Sequence, residues 1–138
     1  MTFAGYSKRP LVDKLGIKAG MTALIRYAPD GYEKTLGAIP MGVTWRKRLG
    51  GQIDFIQAFF TQAAKMEAEF SSLKNSLSST GMLWVCWPKK TSGVHSDISD
   101  MIVRELGLRH GLVDVKVCAI DETWSGLKFV YRVKDRKK

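Results

Sequence analysis

Two short stretches carry the residues best suited to chemistry. Lys89, Lys90, Thr91 and Ser92 follow directly on the apolar run Leu83–Trp87 and Pro88, and Asp121, Glu122, Thr123 and Trp124 lie between two later apolar runs. Paired ammonium groups beside hydroxyls suit a phosphate or carboxylate, and backbone N–H groups at a following helix start would add to that. A carboxylate pair accepts hydrogen bonds from hydroxyls or amines, and Trp87 or Trp124 can stack on a flat group. The same residues also suit an internal arrangement. A lysine of the first stretch would meet an acid of the second, with the tryptophans covering the end of a core. Both readings are open.

Other reactive residue types are sparse. No nucleophile–base pair or metal set stands out, although Asp121 and Glu122 have acid–base capacity. His95 shares the lysine loop but has no partner nucleophile, and reads first as a solvated residue. His110, near a helix C-terminus, reads as a favourable dipole contact. Cys86 and Cys118 each fall in a buried strand, without a CxxC or a histidine at ligand spacing; they read as reduced core thiols, and no metal is expected. Trp45 beside Arg46, Lys47 and Arg48 suits either a nucleic-acid stacking patch or a charge-protected sheet edge. Tyr6 and Ser7 are candidates to fold over the site.

The elements that must position these groups follow from periodicity. Pro10 to Leu15 reads as a short helix closed by Gly16. Residues 21–28 read as a first strand, 29–37 as a loop or short helix, 42–48 as a short second strand and 53–60 as a third. A helix follows, with Thr61 as its cap and Ala63, Met66, Phe70, Leu73 and Leu77 as one apolar stripe. Lys65 and Glu69 are spaced for an outer i,i+4 contact, and Ser78 to Gly81 ends the helix. Residues 82–87 form a fourth strand, apolar on both faces. Ser96 caps a helix with Asp97 and Asp100 in its first turn, ending near His110. Residues 112–120 read as a fifth strand with Asp114 and Lys116 alternating outward, 121–126 as a turn, and 127–133 as a sixth strand. Strands separated by helices give right-handed crossovers, and the short last connection gives a hairpin. The fold class is therefore three-layer α/β, with a mostly parallel six-stranded sheet and a C-terminal antiparallel hairpin strand.

Length and charge bound the rest. The chain of 138 residues reads as a single domain over 1–138, with a lead-in at 1–19 and a basic tail at 135–138. No apolar run reaches the ~20 residues needed to cross a bilayer. With no leader-like segment at the N-terminus either, a cytoplasmic location without membrane contact is expected. The net charge of +9 would attract nucleic acid, an anionic surface or acidic ligands. Lys128, Arg132, Lys134, Arg136, Lys137 and Lys138 crowd the end of the chain, Arg46–Arg48 form a second cluster, and the rest are scattered. That distribution weakens nucleic acid and membrane as partners.

Residues 16–134 resemble the class I methyltransferase variant of the Rossmann fold. "GIKAGMTALIRYAPDGY" is similar to that fold's first strand and turn, "IDFIQAFF" to its fourth strand and "SSTGMLWVCWP" to its fifth. The resemblance implies that one strand–helix unit is lost after "GVTWRKR", and a strand order of second, first, third, fourth, sixth, fifth. The chain departs from the family where the cofactor would sit. A Gly-x-Gly-like turn is replaced by "RYAPDGYEK", with Gly31 alone, and Arg46–Lys47–Arg48 stands where an acid would meet ribose hydroxyls. No S-adenosylmethionine or NAD motif carries over, and no cofactor is expected. The stretches "GYSKRPLVDKLGI", "LWVCWPKKTSGV" and "GLVDVKVCAIDETWSGLKFVYR" also resemble a bacterial family of small proteins known as a domain of unknown function, which implies no activity.

In open parallel sheets ligands bind outside the carboxyl ends of the strands. The expectation is a small anionic ligand there, held by Lys89, Lys90, Thr91, Ser92, Asp121, Glu122, Thr123 and Trp124. The alternative is a non-enzymatic module that binds nucleic acid or a protein partner through its basic surface. Strand 42–48 would be an edge that a second copy could pair with in a homodimer.

Overall fold

The computed structural model describes residues 9–136; Tyr6, Ser7, Lys137 and Lys138 lie outside them. Pro10 precedes α1 (Leu11–Leu15), and Gly16 closes it at φ 90°, its N–H bonded to the Val12 and Asp13 carbonyls. Then come β1 (Thr22–Arg26), α2 (Tyr32–Leu36), β2 (Thr44–Trp45), β3 (Ile53–Phe59), α3 (Ala63–Ser76) and β4 (Leu77–Pro88). The chain closes with α4 (Asp100–Arg109), β5 (Leu112–Ala119) and β6 (Trp124–Tyr131).

The sheet has six strands in the order β2-β1-β3-β4-β6-β5, as expected. β1 is parallel to β2 and β3, β3 is parallel to β4, and β6 is antiparallel to both β4 and β5. Alternation along the strands sorts the core into two layers. Ile56, Ala58, Phe60, Leu83, Val85, Leu127 and Phe129 pack with Met66, Phe70 and Leu73 of α3 and Val103 and Leu106 of α4. Phe55, Phe59, Trp84, Cys86 and Cys118 pack with Val12 and Leu15 of α1 and Tyr32 and Leu36 of α2. The result is a three-layer, Rossmann-like architecture. Among the described residues no helix is long and apolar enough to cross a membrane.

Several boundaries differ from expectation, each for a local reason. β2 shrinks to two residues, leaving Arg46–Arg48 in the link to β3. Because β2 pairs only with Thr22 and Ala23, at the start of β1, the chain is already near the end of the sheet where β3 begins. A short link without a helix then suffices. Ser78–Gly81 does not end a helix but opens β4, beside a register shift against β3. Asp54 anchors this corner by accepting from the Thr22 N–H at 2.9 Å and the Ser78 hydroxyl at 3.2 Å. A Cβ on Gly81 would lie 2.9 Å from the Asp54 carbonyl oxygen, so only glycine fits. β6 starts three residues early, at Trp124. A bulge in β5 between Asp114 and Lys116 breaks their expected alternation: Asp114 pairs with Arg104 of α4, while Lys116 reaches the Lys14 carbonyl of α1 on the opposite face.

Candidate functional site

The carboxyl ends of β1, β3 and β4, with the β5–β6 turn, form one edge of the sheet. Pro88 closes β4 opposite Trp124, and the ladder continues one residue further, where the Lys89 N–H donates to the Thr123 carbonyl at 2.8 Å. The Lys89 ammonium donates to the Asp121 carbonyl oxygen at 2.7 Å. The Asp121 carboxylate is turned inward, accepting from the Thr123 and Trp124 N–H groups at 2.8 Å each. The opposite charges thus share one turn without an ion pair: the acid shapes the turn and the lysine seals it. Lys90, Thr91 and Ser92 form a single 3-10 turn, and the Ser92 hydroxyl donates to the Lys89 carbonyl at 2.6 Å. Lys90, Thr91 and Glu122 are exposed.

Two clefts open on this edge, and they divide the expected residues. One, of about 310 Å³, includes Trp87, Lys89, Lys90, Ser99, Asp100 and Ser125 in its lining. The other, of about 270 Å³, is lined by Tyr27, Phe59, Phe60, Thr61, Gln62, Lys65 and Trp124. Thr91, Ser92, Asp121, Glu122 and Thr123 line neither. A third, apolar cleft of about 330 Å³ lies beside α2, with Ile25, Tyr32, Leu36, Ile39 and Trp45 in its wall.

The 270 Å³ cleft contains the residues that periodicity missed. Tyr27 is the only non-glycine residue at positive φ among the described ones, at 60°. A bulky residue in that region costs on the order of 1–3 kcal/mol and persists only where its surroundings hold it. Here the phenol donates to Glu69 at 2.6 Å, the ring meets Phe60 edge-on at 5.8 Å, and the Lys65 ammonium lies 3.9 Å from the ring centroid. Glu69 is also paired with Arg26 at 3.1 Å. The expected Lys65–Glu69 contact is therefore replaced, because the end of β1 presents Arg26 and Tyr27 to that side of α3. A positive-φ residue is invisible to hydrophobic period; only the Pro29–Gly31 turn signal nearby hints at unusual backbone.

Neighbouring elements hold the cleft's other walls. Trp124 meets Phe59 edge-on at 5.1 Å, and Phe59 meets Tyr32 at 4.9 Å. Tyr32 donates to buried Gln57 at 2.9 Å, and Gln57 donates to the Cys86 sulfur at 3.4 Å. Burial first, then nearby Cys86, raises the Tyr32 phenol; burial likewise pushes the Cys86 thiol up to about 12, so it stays protonated. Cys86 and Cys118 flank Gly126 on opposite neighbouring strands, roughly 9–10 Å apart by strand spacing. That is beyond the reach of a disulfide.

Two helix starts are built differently from expectation. α3 takes its cap from across the fold, the Asp97 carboxylate accepting from the Ala63 N–H at 2.7 Å in place of Thr61. α4 starts at Asp100 with Ser99, not Ser96, as its cap. His95 is exposed. His110 stacks on Phe70 at 4.7 Å, and burial, then Lys74 and Arg109, lower its pKa, which opposes the expected charged dipole contact. No group of three or more His, Cys, Asp or Glu side chains among the described residues is arranged to hold a metal ion.

The fold is shared with known methyltransferase structures. The chain is similar to a SAM-dependent methyltransferase from Aquifex aeolicus, with a TM-score of 0.63, 15% identity and 86% of each chain covered. It is also similar to a TehB-like SAM-dependent methyltransferase from Corynebacterium glutamicum, with a TM-score of 0.55, 11% identity, and 94% of this chain and 91% of that one covered. A third is magnesium protoporphyrin IX methyltransferase from Synechocystis with bound SAH, with a TM-score of 0.58, 11% identity, and 88% of this chain and 78% of that one covered. These likenesses establish a methyltransferase-like fold. No family model matches the sequence and no curated protein does.

Proposed function

We propose that the chain binds a small anionic ligand at the carboxyl edge of its sheet, in the cleft between the ends of β1 and β3. The observation that carries this reading is the Tyr27 backbone, held at φ 60° at the mouth of that cleft by Glu69. Strain of this kind gathers at ligand sites. Lys65 is the one charged side chain in the lining, Thr61 and Gln62 add hydrogen-bonding groups, and Trp124 offers a ring face or edge to a planar group. Lys90 adds positive potential from the neighbouring cleft, whereas Lys89 is committed to the turn. The fold places such sites at this edge in general. The similar enzymes are SAM-dependent methyltransferases, but here Tyr27 stands in the turn where a glycine would let a cofactor approach the backbone.

A thermal-shift screen tests the reading with nucleotides, sugar phosphates, simple carboxylates and S-adenosylmethionine. Ligand binding to the native state alone raises the midpoint with ligand excess. The expected result is a shift with an anionic ligand that survives moderate salt and is lost in Lys65→Met and in Trp124→Ala. No shift across the panel, or one unchanged in Lys65→Met, would overturn the assignment. A shift with S-adenosylmethionine would show that the Tyr27 turn admits that cofactor and would overturn the reading that it does not.

A further inference from the structure

A second basic feature lies away from both carboxyl-edge clefts. Across one face of the sheet runs a row of paired residues, Ile25, Gln57, Trp84, Lys128 and Lys116, on β1, β3, β4, β6 and β5 in turn. α1 ends over the middle of this row, where the Trp84 indole donates to the Leu15 carbonyl at 2.9 Å. Beyond it stand the two lysines, directly opposite each other, with Lys18 close enough to act on Lys128 electrostatically.

Like charges directly opposite on paired strands destabilise a sheet. The bulge in β5 creates this arrangement. Regular alternation would put Asp114 and Lys116 on one face, but the bulge sends Asp114 to Arg104 and brings Lys116 opposite Lys128. Among the described residues the cluster's compensation is the Lys14 carbonyl, which accepts from the Lys116 ammonium at 3.1 Å. The ion pairs among the described residues, Arg26–Glu69 and Arg104–Asp114, involve none of the three lysines. Burial, with Lys116 and Lys18 beside it, holds the Lys128 ammonium below the usual lysine range.

We propose that Lys18, Lys116 and Lys128 form a contact site for the phosphate backbone of a nucleic acid. None of the three lines any of the clefts described above, and Lys18 and Lys116 are exposed. Lysines spread over an open sheet face suit a polymer whose phosphates repeat. Trp84, the aromatic residue of the row, is fully buried and offers no base a stacking surface. Binding is therefore independent of sequence and driven by counterion release.

Fluorescence anisotropy with a labelled oligouridine, titrated over a range of sodium chloride, tests this. Each phosphate neutralised on a single strand contributes about 0.7 to the slope of log affinity against log salt. Lys18→Met/Lys116→Met/Lys128→Met is expected to lower the slope by roughly 2, while Lys134→Met/Arg136→Met leaves most of it. Absent binding, an unchanged slope in the triple variant, or an equal loss in the tail variant would overturn the proposal. So would binding of inorganic tripolyphosphate or phosphatidylserine vesicles without binding of oligouridine. A second readout needs no ligand. Lys128→Met keeps the apolar stem beside Trp84 and relieves the repulsion, so its thermal midpoint should rise at low salt and converge on wild type at high salt. A midpoint lowered at every salt concentration would refute an uncompensated cluster.

Discussion

The two clefts of the carboxyl edge are neighbours built on different principles. The Tyr27 cleft is held by side chains: Glu69 ties Arg26 and Tyr27 together, and a strained backbone is the consequence. The Lys89 cleft is held by main chain: a β-turn shaped by Asp121, a lysine bonded to a carbonyl, and the start of α4. Arg26 and Glu69, which brace the first, occupy each other, and Lys65 on the Tyr27 ring is the charge in its lining. In the second, the adjacent lysines differ in kind, one structural and one exposed. A cationic residue in a loop therefore says little about function until its hydrogen-bond partner is known.

The comparison is broken most sharply at Gly107. A Cβ there would overlap the Phe129 ring, so α4 could not keep its seat on β6. Gly107→Ala should cost about 2 kcal/mol or more by overpacking, read as a lower urea midpoint, and should disturb the Lys89 cleft while leaving the Tyr27–Glu69 contact intact. Asp121→Ala comes next. It strands two N–H groups of the turn that places both Lys89 and Trp124, at about 1–3 kcal/mol. Denaturant unfolding checks it, and a loss below experimental error would mean the turn holds itself.

Smaller effects sharpen the difference between the lysines. Lys89→Met should lose about 1 kcal/mol with its hydrogen bond to the Asp121 carbonyl, whereas Lys90→Met should stay within about 0.5 kcal/mol. Equal losses would show that the two lysines are equivalent after all. The smallest effect is a pH slope from His110. Its pKa in the folded chain lies below the ordinary 6.5, so the native state resists protonation and the unfolded chain takes the proton first. The stabilisation is present above 6.5 and is lost as the pH falls through that value toward the lower folded pKa. Thermal midpoints of wild type and His110→Gln should differ by a constant amount above pH 7 and approach each other as the pH falls below it.

Most of the architecture was legible in the residues, because period and punctuation are local. The Met66–Phe70–Leu73 stripe marked α3, the doubly apolar 82–87 run marked an interior strand, and the short last connection marked the antiparallel hairpin. Strand order came from the resemblance to the methyltransferase fold, and the sheet has that order. The candidate site was legible only as an edge. Of the residues expected to meet there, Lys89 and Lys90 line one cleft and Trp124 another, while Asp121 is spent on its own turn.

What the sequence determined by itself, then, was a six-stranded α/β sheet and the edge at which its loops gather. Hydrophobic period acts over a few residues and survives any arrangement of neighbours. The tertiary structure decided the rest: Tyr27 at positive φ, Asp97 capping a helix far away in the chain, Lys89 on a carbonyl oxygen, and Lys116 turned by a bulge to face Lys128. Each depends on a partner remote in sequence. A polar side chain's role is set by which donor or acceptor lies within about 3 Å of it, and only the packed chain supplies that distance.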